Sequence, residues 1–180
     1  MSSTAAIQQL VAANRFSEAA HQLIAAAESG DPKALFMLGG WRISGQVVAR
    51  DTKAARDLMG RAAEGGHPAA ARFHGYFLAN GTGGPADWAM GRQVLEKIAG
   101  QPDVSAQLNM VRQMPVDANG VPTSLPRLMT ISERPAAYSA SQFLSDDECD
   151  YLVRMAEPLL QPSLVIDRAT GRALPHPDRK

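Results

Sequence analysis

Ala27-Glu28-Ser29-Gly30-Asp31-Pro32 is followed, 36 positions later (63 against 27), by Ala63-Glu64-Gly65-Gly66-His67-Pro68, and the correspondence continues without a gap. Gly39 falls on Gly75, Gly45 on Gly81, Asp51 on Asp87 and Arg56 on Arg92. A period of this length marks stacked supersecondary units, each unable to bury its apolar face alone. Asp31 before Pro32 is an N-cap followed by a proline at the first helical position, where the missing N–H costs nothing. His67-Pro68 opens the second unit in the same way. Ala34, Leu35, Leu38 and Trp41 then share one helical face, as do Ala70, Ala71, Phe73 and Phe77. Gly45 and Gly81 close these helices and Asp51 and Asp87 cap the next pair. Those run through Ala54, Ala55, Leu58 and Ala62 in one copy and through Val94, Leu95 and Ile98 in the other. Gly30 and Gly66 end the second helices.

The offset reaches outward from both copies. Ala106 lies 36 beyond Ala70, and Phe16-Ser17-Glu18-Ala19-Ala20 with Leu23 reads as a second helix preceding the first full copy. The expected fold is therefore mainly α: a short right-handed helix-turn-helix repeat solenoid over residues 1–112, with two full copies and flanking half-copies.

Composition narrows the rest. A chain of 180 residues that is 45% hydrophobic can build one medium domain or two small ones, which argues against disorder. Eighteen basic residues balance eighteen acidic ones, so nothing favours nucleic acid or an anionic membrane surface as partner. The start Met1-Ser2-Ser3-Thr4 has no basic n-region and no apolar run is long enough to span a bilayer, which leads to the expectation of a cytoplasmic protein. The lone Cys149 has no partner for an internal disulfide.

The repeating residues resemble Sel-one-like repeats, a branch of the tetratricopeptide superfamily. Ala27, Gly30, Ala34, Leu38-Gly39, Gly45, Asp51 and Ala54-Ala55 fit that pattern. The second copy departs from it, with His74 where the leucine stands, Met90-Gly91 for the paired alanines, and Pro85-Ala86 leading into Asp87. The resemblance implies a scaffold that holds a protein or peptide partner on a concave groove, with no chemistry of its own. Trp41 and Phe77 occupy equivalent positions and read as packing; Tyr76, with Arg42 and Arg72, is the candidate for the partner-binding groove. His21 reads as a surface residue, His67 as a cap and His74 as core. Gly81-Thr82-Gly83-Gly84 has no following lysine or preceding strand and is a connecting loop, not a phosphate cradle.

Beyond residue 112 the helical rhythm stops. Gln113 to Pro122 is dense in turn formers, so residues 113–126 read as a linker before a small, incomplete α+β segment over 127–180. Arg127 to Ser132 reads as a strand stopped by Pro135. Ser145-Asp146-Asp147-Glu148 is a capping box for a helix carrying Cys149, Leu152, Val153 and Ala156, with Pro158 just past its end. Cys149 is expected to be a buried small hydrophobe on that helix. Leu164-Val165-Ile166 reads as a second strand and Asp167 to Gly171 as a turn.

Phe143-Leu144-Ser145-Asp146-Asp147-Glu148-Cys149, with Leu152, Leu159, Ser163-Leu164-Val165, Asp167, Thr170 and Gly171, resembles the opening of the prolyl 4-hydroxylase-like dioxygenases. Complete members of that family use iron(II) and 2-oxoglutarate, with ascorbate as a further candidate. The resemblance implies a histidine-x-aspartate pair, a distant second histidine and a basic residue for 2-oxoglutarate. His176-Pro177-Asp178 has the three-letter form, but it follows the Gly171 turn directly and no further histidine comes after it, so it reads as coincidental. No catalytic, cofactor-binding or metal-ligating residue is assigned, and the chain as given is expected to be inactive. Three functional readings follow. The first is the N-terminal region of such a dioxygenase, whose repeats recruit a protein. The second is a stand-alone interaction scaffold without enzymatic activity. The third is a repeat array closed by an unrelated strand-helix-strand cap.

Overall fold

The computed structural model describes residues 3–161 and 163–175, which form two compact units divided between Ser124 and Leu125. The first unit is a run of antiparallel helices: α1 (Ser3–Ala12), α2 (Phe16–Glu28), α3 (Pro32–Ser44), α4 (Thr52–Glu64), α5 (Pro68–Asn80), α6 (Trp88–Glu96) and α7 (Pro102–Gln113). Each helix packs on its neighbours in sequence, and α1 also touches α3. The odd-numbered helices are the first members of the pairs, the even-numbered ones the second.

Helix ends are fixed in the same way in successive copies. The carboxylates of Asp31, Asp51 and Asp87 accept from the N–H groups of Lys33 (3.0 Å), Ala54 (2.9 Å) and Met90 (2.8 Å). His67 plays the same part with a ring nitrogen, Nδ1 accepting from Ala70 N–H at 3.2 Å. Caps of this kind contribute about 1 kcal/mol each. At the other end, Gly30 N–H donates to the Ala27 carbonyl and Asp31 N–H to that of Ala26, while Gly66 and His67 repeat the pattern on Ala63 and Ala62. These are Schellman motifs, and Gly30 (φ +85°) and Gly66 (φ +84°) supply the left-handed residue that they require. The loops within each copy are tied alike: Asp51 N–H donates to the Arg42 carbonyl and Asp87 N–H to that of Leu78.

Small residues let the paired helices approach closely. A methyl group on Gly39 would stand 2.9 Å from Met59 Cε, and one on the equivalent Gly75 would stand 2.8 Å from Leu95 Cγ. A long side chain of the second helix thus seats in a notch on the first. The Met90-Gly91 departure belongs to the same contact, because a methyl on Gly91 would lie 2.7 Å from the Gly75 carbonyl oxygen. Here α5 and α6 cross on two glycines. The core is continuous across α1 to α5, with Ile7, Leu23, Leu35, Met59 and the alanines 19, 34, 62 and 70 buried in one cluster.

Three expectations about the stack are corrected. The array begins earlier than the half-copy at Phe16, since α1 pairs with α2 and buries Ile7 at its start. The third copy is displaced by 34 positions, not 36, because α6 is shorter than α4; Val104 and Leu108 take the buried places, and Ala106 is exposed. Phe73 does not sit on the inner stripe but is 39% exposed. The stretch read as a linker bends back on the last repeat: Asp117 N–H pairs with Val121 O, and Gly120 lies against the Trp88 ring.

The second unit contains a hairpin of β1 (Leu128–Glu133) and β2 (Ala136–Ala140), the helix α8 (Asp146–Ala156), a 3-10 turn over Glu157–Leu159, and a hairpin of β3 (Leu164–Ile166) and β4 (Ala173–Pro175). Strand β1 lies where the sequence places it and stops before Pro135, which lies in the turn that leads into β2; the Arg134–Pro135 bond is cis and Ile131 is bulged out of the ladder. The capping box on α8 is formed, with Ser145 N–H donating to Glu148 Oε2 at 2.8 Å. Cys149 is exposed, contrary to expectation. The reason is general to this unit: none of its described residues is buried, and Leu128, Ile131, Phe143, Leu152 and Leu164 are all more than half exposed.

His74 replaces the leucine of the first copy and is half-buried, its ring against Gly60, where an added methyl would meet Cε1 at 3.0 Å. Burial pushes its pKa down and Arg56 pushes it further, against weaker opposition from Glu64 and Asp57. The unfolded chain therefore takes up the proton at higher pH than the folded one, and stability is lost as pH falls below the ordinary value of 6.5. The expected outcome is a melting temperature that drops from neutral to mildly acidic pH in the native chain, with a shallower drop in His74→Leu; parallel curves would contradict the assignment. A second comparison concerns two left-handed glycines. A methyl added to Gly66 would meet open space, whereas one on Gly83 (φ +77°) would lie 2.2 Å from the Thr52 carbonyl oxygen. Gly66→Ala is expected to cost about 1–2 kcal/mol in urea titration, and Gly83→Ala distinctly more.

Candidate functional site

The face shared by α3 and α5 carries a row of rings. The Phe36 ring stacks on His67, with centroids 4.4 Å apart and planes at 22°, and lies 5.9 Å from Phe73. Phe73 in turn meets Tyr76 edge-on at 6.5 Å and Phe77 at 6.2 Å. The order follows from helical spacing. Phe73, Tyr76 and Phe77 lie three and four apart on α5, while Phe36 projects across from α3 onto the residue that opens α5. Phe77 and Trp41 are partly buried against the core, in keeping with their equivalent positions in the repeat. Phe36 is partly buried against the same core, so the accessible part of the row is Phe73, 39% exposed, with Tyr76 beside it.

Of the three groove candidates, the structure brings two together. Arg72 reaches Asp103 on α7, Nη1 to Oδ2 3.6 Å, and the Tyr76 hydroxyl donates to Gln107 Oε1 on the same helix. Tyr76 and Arg72 thus fasten α5 to α7 along the edge of the ring row. Arg42 goes elsewhere. Its Nη1 donates to the Ala49 carbonyl at 3.1 Å, and its side chain lines a separate cavity of about 310 Å³ with Ile24, Leu38, Asp57 and Arg61. Sequence reasoning misses Phe36 and the ring of His67 as parts of this face. The available signal is an aromatic at position 36 that breaks the repeat, since its equivalent is Arg72.

Two further cavities adjoin these elements. One of about 520 Å³ lies between the starts of α3 and α5, lined by Asp31, Pro32, Lys33, Gly65, Gly66, His67 and Pro68. The other, about 250 Å³, is walled mostly by Gly60, Ala63, Ala71, Val94 and Ile98, with His74, Glu64 and Lys97 at its polar margin. Among the described residues, neither gathers the nucleophile and adjacent base that covalent catalysis needs.

In the second unit the perturbed carboxylates are turn and cap residues. Hydrogen bonds from Ser145 hold Glu148 below the usual carboxylate range, and those from Ala169 N–H and the Thr170 hydroxyl do the same for Asp167. Both shifts belong to local backbone structure. Among the described residues no group of three or more His, Cys, Asp and Glu side chains is placed to hold a metal. His176 and Asp178 lie outside the described residues. No described helix is long and apolar enough to cross a membrane.

No family model matches the chain, and no curated protein does. Solved structures do. The chain is similar to a Sel1 repeat protein from Oxalobacter formigenes at 30% identity, over 52% of this chain and 71% of that one, with a TM-score of 0.50. It is similar to a protective antigen with an SLR fold from uropathogenic Escherichia coli strains at 33% identity, over 58% of this chain and 22% of that one, with a TM-score of 0.49. The cysteine rich protein B of Helicobacter pylori is 20% identical over 51% of this chain and 71% of its own, at a TM-score of 0.48. The Oxalobacter match joins the capped, glycine-notched helix pairs described above in assigning the protein: the chain belongs to the Sel1-repeat family.

Proposed function

We propose that the helical unit binds a protein partner, presenting the ring row of α3 and α5 as its contact surface. The observation that carries this is the placement of Phe36, Phe73 and Tyr76. They form one connected row, yet Phe73 remains 39% exposed on a helix that buries Leu78 and packs Phe77 against the core. Aromatic side chains supply large contact area with little rotamer freedom to lose, and they dominate the binding energy of protein interfaces. Selection of peptides from a random displayed library on the immobilised chain tests the reading. Peptides so recovered are expected to bind Phe73→Ala at least about tenfold more weakly, about 1.4 kcal/mol, while its melting temperature stays near that of the native chain. Recovered peptides indifferent to both Phe73→Ala and Phe36→Ala would overturn it.

A second reading concerns residues 125–175. Their exposed apolar side chains, Phe143 at 70%, Leu159 at 79% and Ile166 at 66%, require more apolar surface than the segment itself offers. This favours the segment being the front of a larger fold, as its resemblance to the prolyl 4-hydroxylase-like opening implies, with the iron and 2-oxoglutarate ligands outside it. Neither the matched structures nor the described side chains add support for the dioxygenase identity itself. Titration calorimetry of the full chain with iron(II) and 2-oxoglutarate under anaerobic conditions is expected to show no saturable heat. Saturation at one metal per chain would refute the reading of His176 and Asp178 as coincidental.

A further inference from the structure

We infer that the partner of this face is an acidic peptide carrying apolar or aromatic anchors. The inference rests on the partner-binding reading above and adds the partner's chemistry. Charge is unevenly divided among the helices. Helices α3 and α5 contain Lys33, Arg42 and Arg72 and no aspartate or glutamate, whereas α2 carries Glu18 and Glu28, α4 mixes Asp57 and Glu64 with Lys53, Arg56 and Arg61, and α6 sets Glu96 against Arg92.

Two of the three cations adjoin the rings. Lys33 precedes Phe36 by three positions and Met37 by four, which places it one turn away on the same face, and its side chain is exposed. Arg72 is next to Phe73 and four before Tyr76. His67 adds a donor: with Nδ1 accepting from Ala70 N–H, the neutral ring carries its proton on Nε2. Two acids come near this face. Asp31 is committed to Lys33 N–H as the cap of α3. Asp103 is engaged by Arg72 across 3.6 Å with its own side chain 80% exposed. That loose, solvated pair shows a carboxylate reaching Arg72 beside the rings, and such pairs are weak enough for an incoming carboxylate to replace.

A partner with carboxylates between hydrophobic anchors would meet cations where it carries negative charge and rings where it is apolar. A basic partner would set like charges against Lys33 and Arg72. Nucleic acid is the other polyanion with affinity for aromatic faces, but Lys33 and Arg72 are two charges on separate helices, short of the continuous basic track that a phosphate backbone requires.

The test uses the full chain and the same displayed random library. Peptides whose binding requires Phe73 are expected to be enriched in Asp and Glu around Phe, Leu or Trp. Lys33→Glu/Arg72→Glu is expected to weaken them at least tenfold and to shift a fresh selection toward Lys and Arg. The pair of exposed and half-exposed substitutions is checked for folding by its circular dichroism melt, and Lys33→Gln/Arg72→Gln, which removes charge without adding any, should give the intermediate affinity. Phe73-dependent peptides without acidic enrichment, or unaffected by the charge reversal, would overturn the inference and leave the groove standing. Displacement of the peptides by oligothymidine would replace it with single-stranded nucleic acid. Failure to recover any Phe73-dependent peptide would sink the groove reading and this inference with it.

Discussion

The stack depends on how the chain leaves one helix and enters the next. At Gly30 and Gly66 a left-handed residue turns the backbone out of α2 and α4, and the following residue both completes the Schellman bonds and caps the helix that begins at the next proline. Asp31 and His67 therefore each serve two helices. Because termination, capping and initiation occupy only three residues, the angle between successive copies is set locally and has little freedom to drift. A longer junction would leave orphan N–H groups on the incoming helix and let the copies swing apart. The matching Schellman bonds at the two junctions are what convert a sequence period into a spatial one.

Given that geometry, the packing problem is one of clearance. Helices held by three-residue junctions lie close, and the chain meets this with alanine and glycine rather than with large interlocking side chains. Gly39 and Gly75 receive Met59 and Leu95, and Gly60 leaves room for the His74 ring. His74 shows what a polar residue costs in such a place: with a partly buried ring beside Arg56, its charged form is disfavoured, and the joint between copies acquires a dependence on pH that the leucine at position 38 does not have.

Most of the helical unit is legible in the sequence because its signals are local. Asp51, Asp87, Gly45 and Gly81 announce helix ends within a few residues, and a repeat states each announcement twice. What the sequence hides depends on contacts that no local signal encodes. Helix α1 has no second copy at the same offset to confirm it, and the change from 36 to 34 positions before α7 arises because α6 stops short. Phe73 has helical spacing with Phe77, yet which side of a helix faces the core is decided by the neighbours, and Phe73 is left 39% exposed with its ring 5.9 Å from Phe36. The same limit explains Arg42 and Arg72. Both are cations on first helices, but one curls back to the Ala49 carbonyl while the other reaches α7. In the second unit the capping box at Ser145 is a local feature and matches expectation; the environment of Cys149 is not local, and the expectation of burial fails there.

The contrast between the units bears on function. Residues that satisfy a repeat are spoken for: their spacing is dictated by stacking, and substituting them costs stability before it costs anything else. Function therefore has to be sought where the repeat is broken without a packing reason. Met90-Gly91 and His74 break it, but each break is answered by a contact inside the stack, at Gly75 and Gly60. Phe36, standing where the second copy has Arg72, packs partly against the core and carries its ring across to His67 and Phe73. Phe73, standing where the first copy has Met37, remains 39% exposed beside that ring. A departure that places aromatic area at the surface, with Lys33 and Arg72 on the same two helices, is the kind that stacking alone gives no reason to keep.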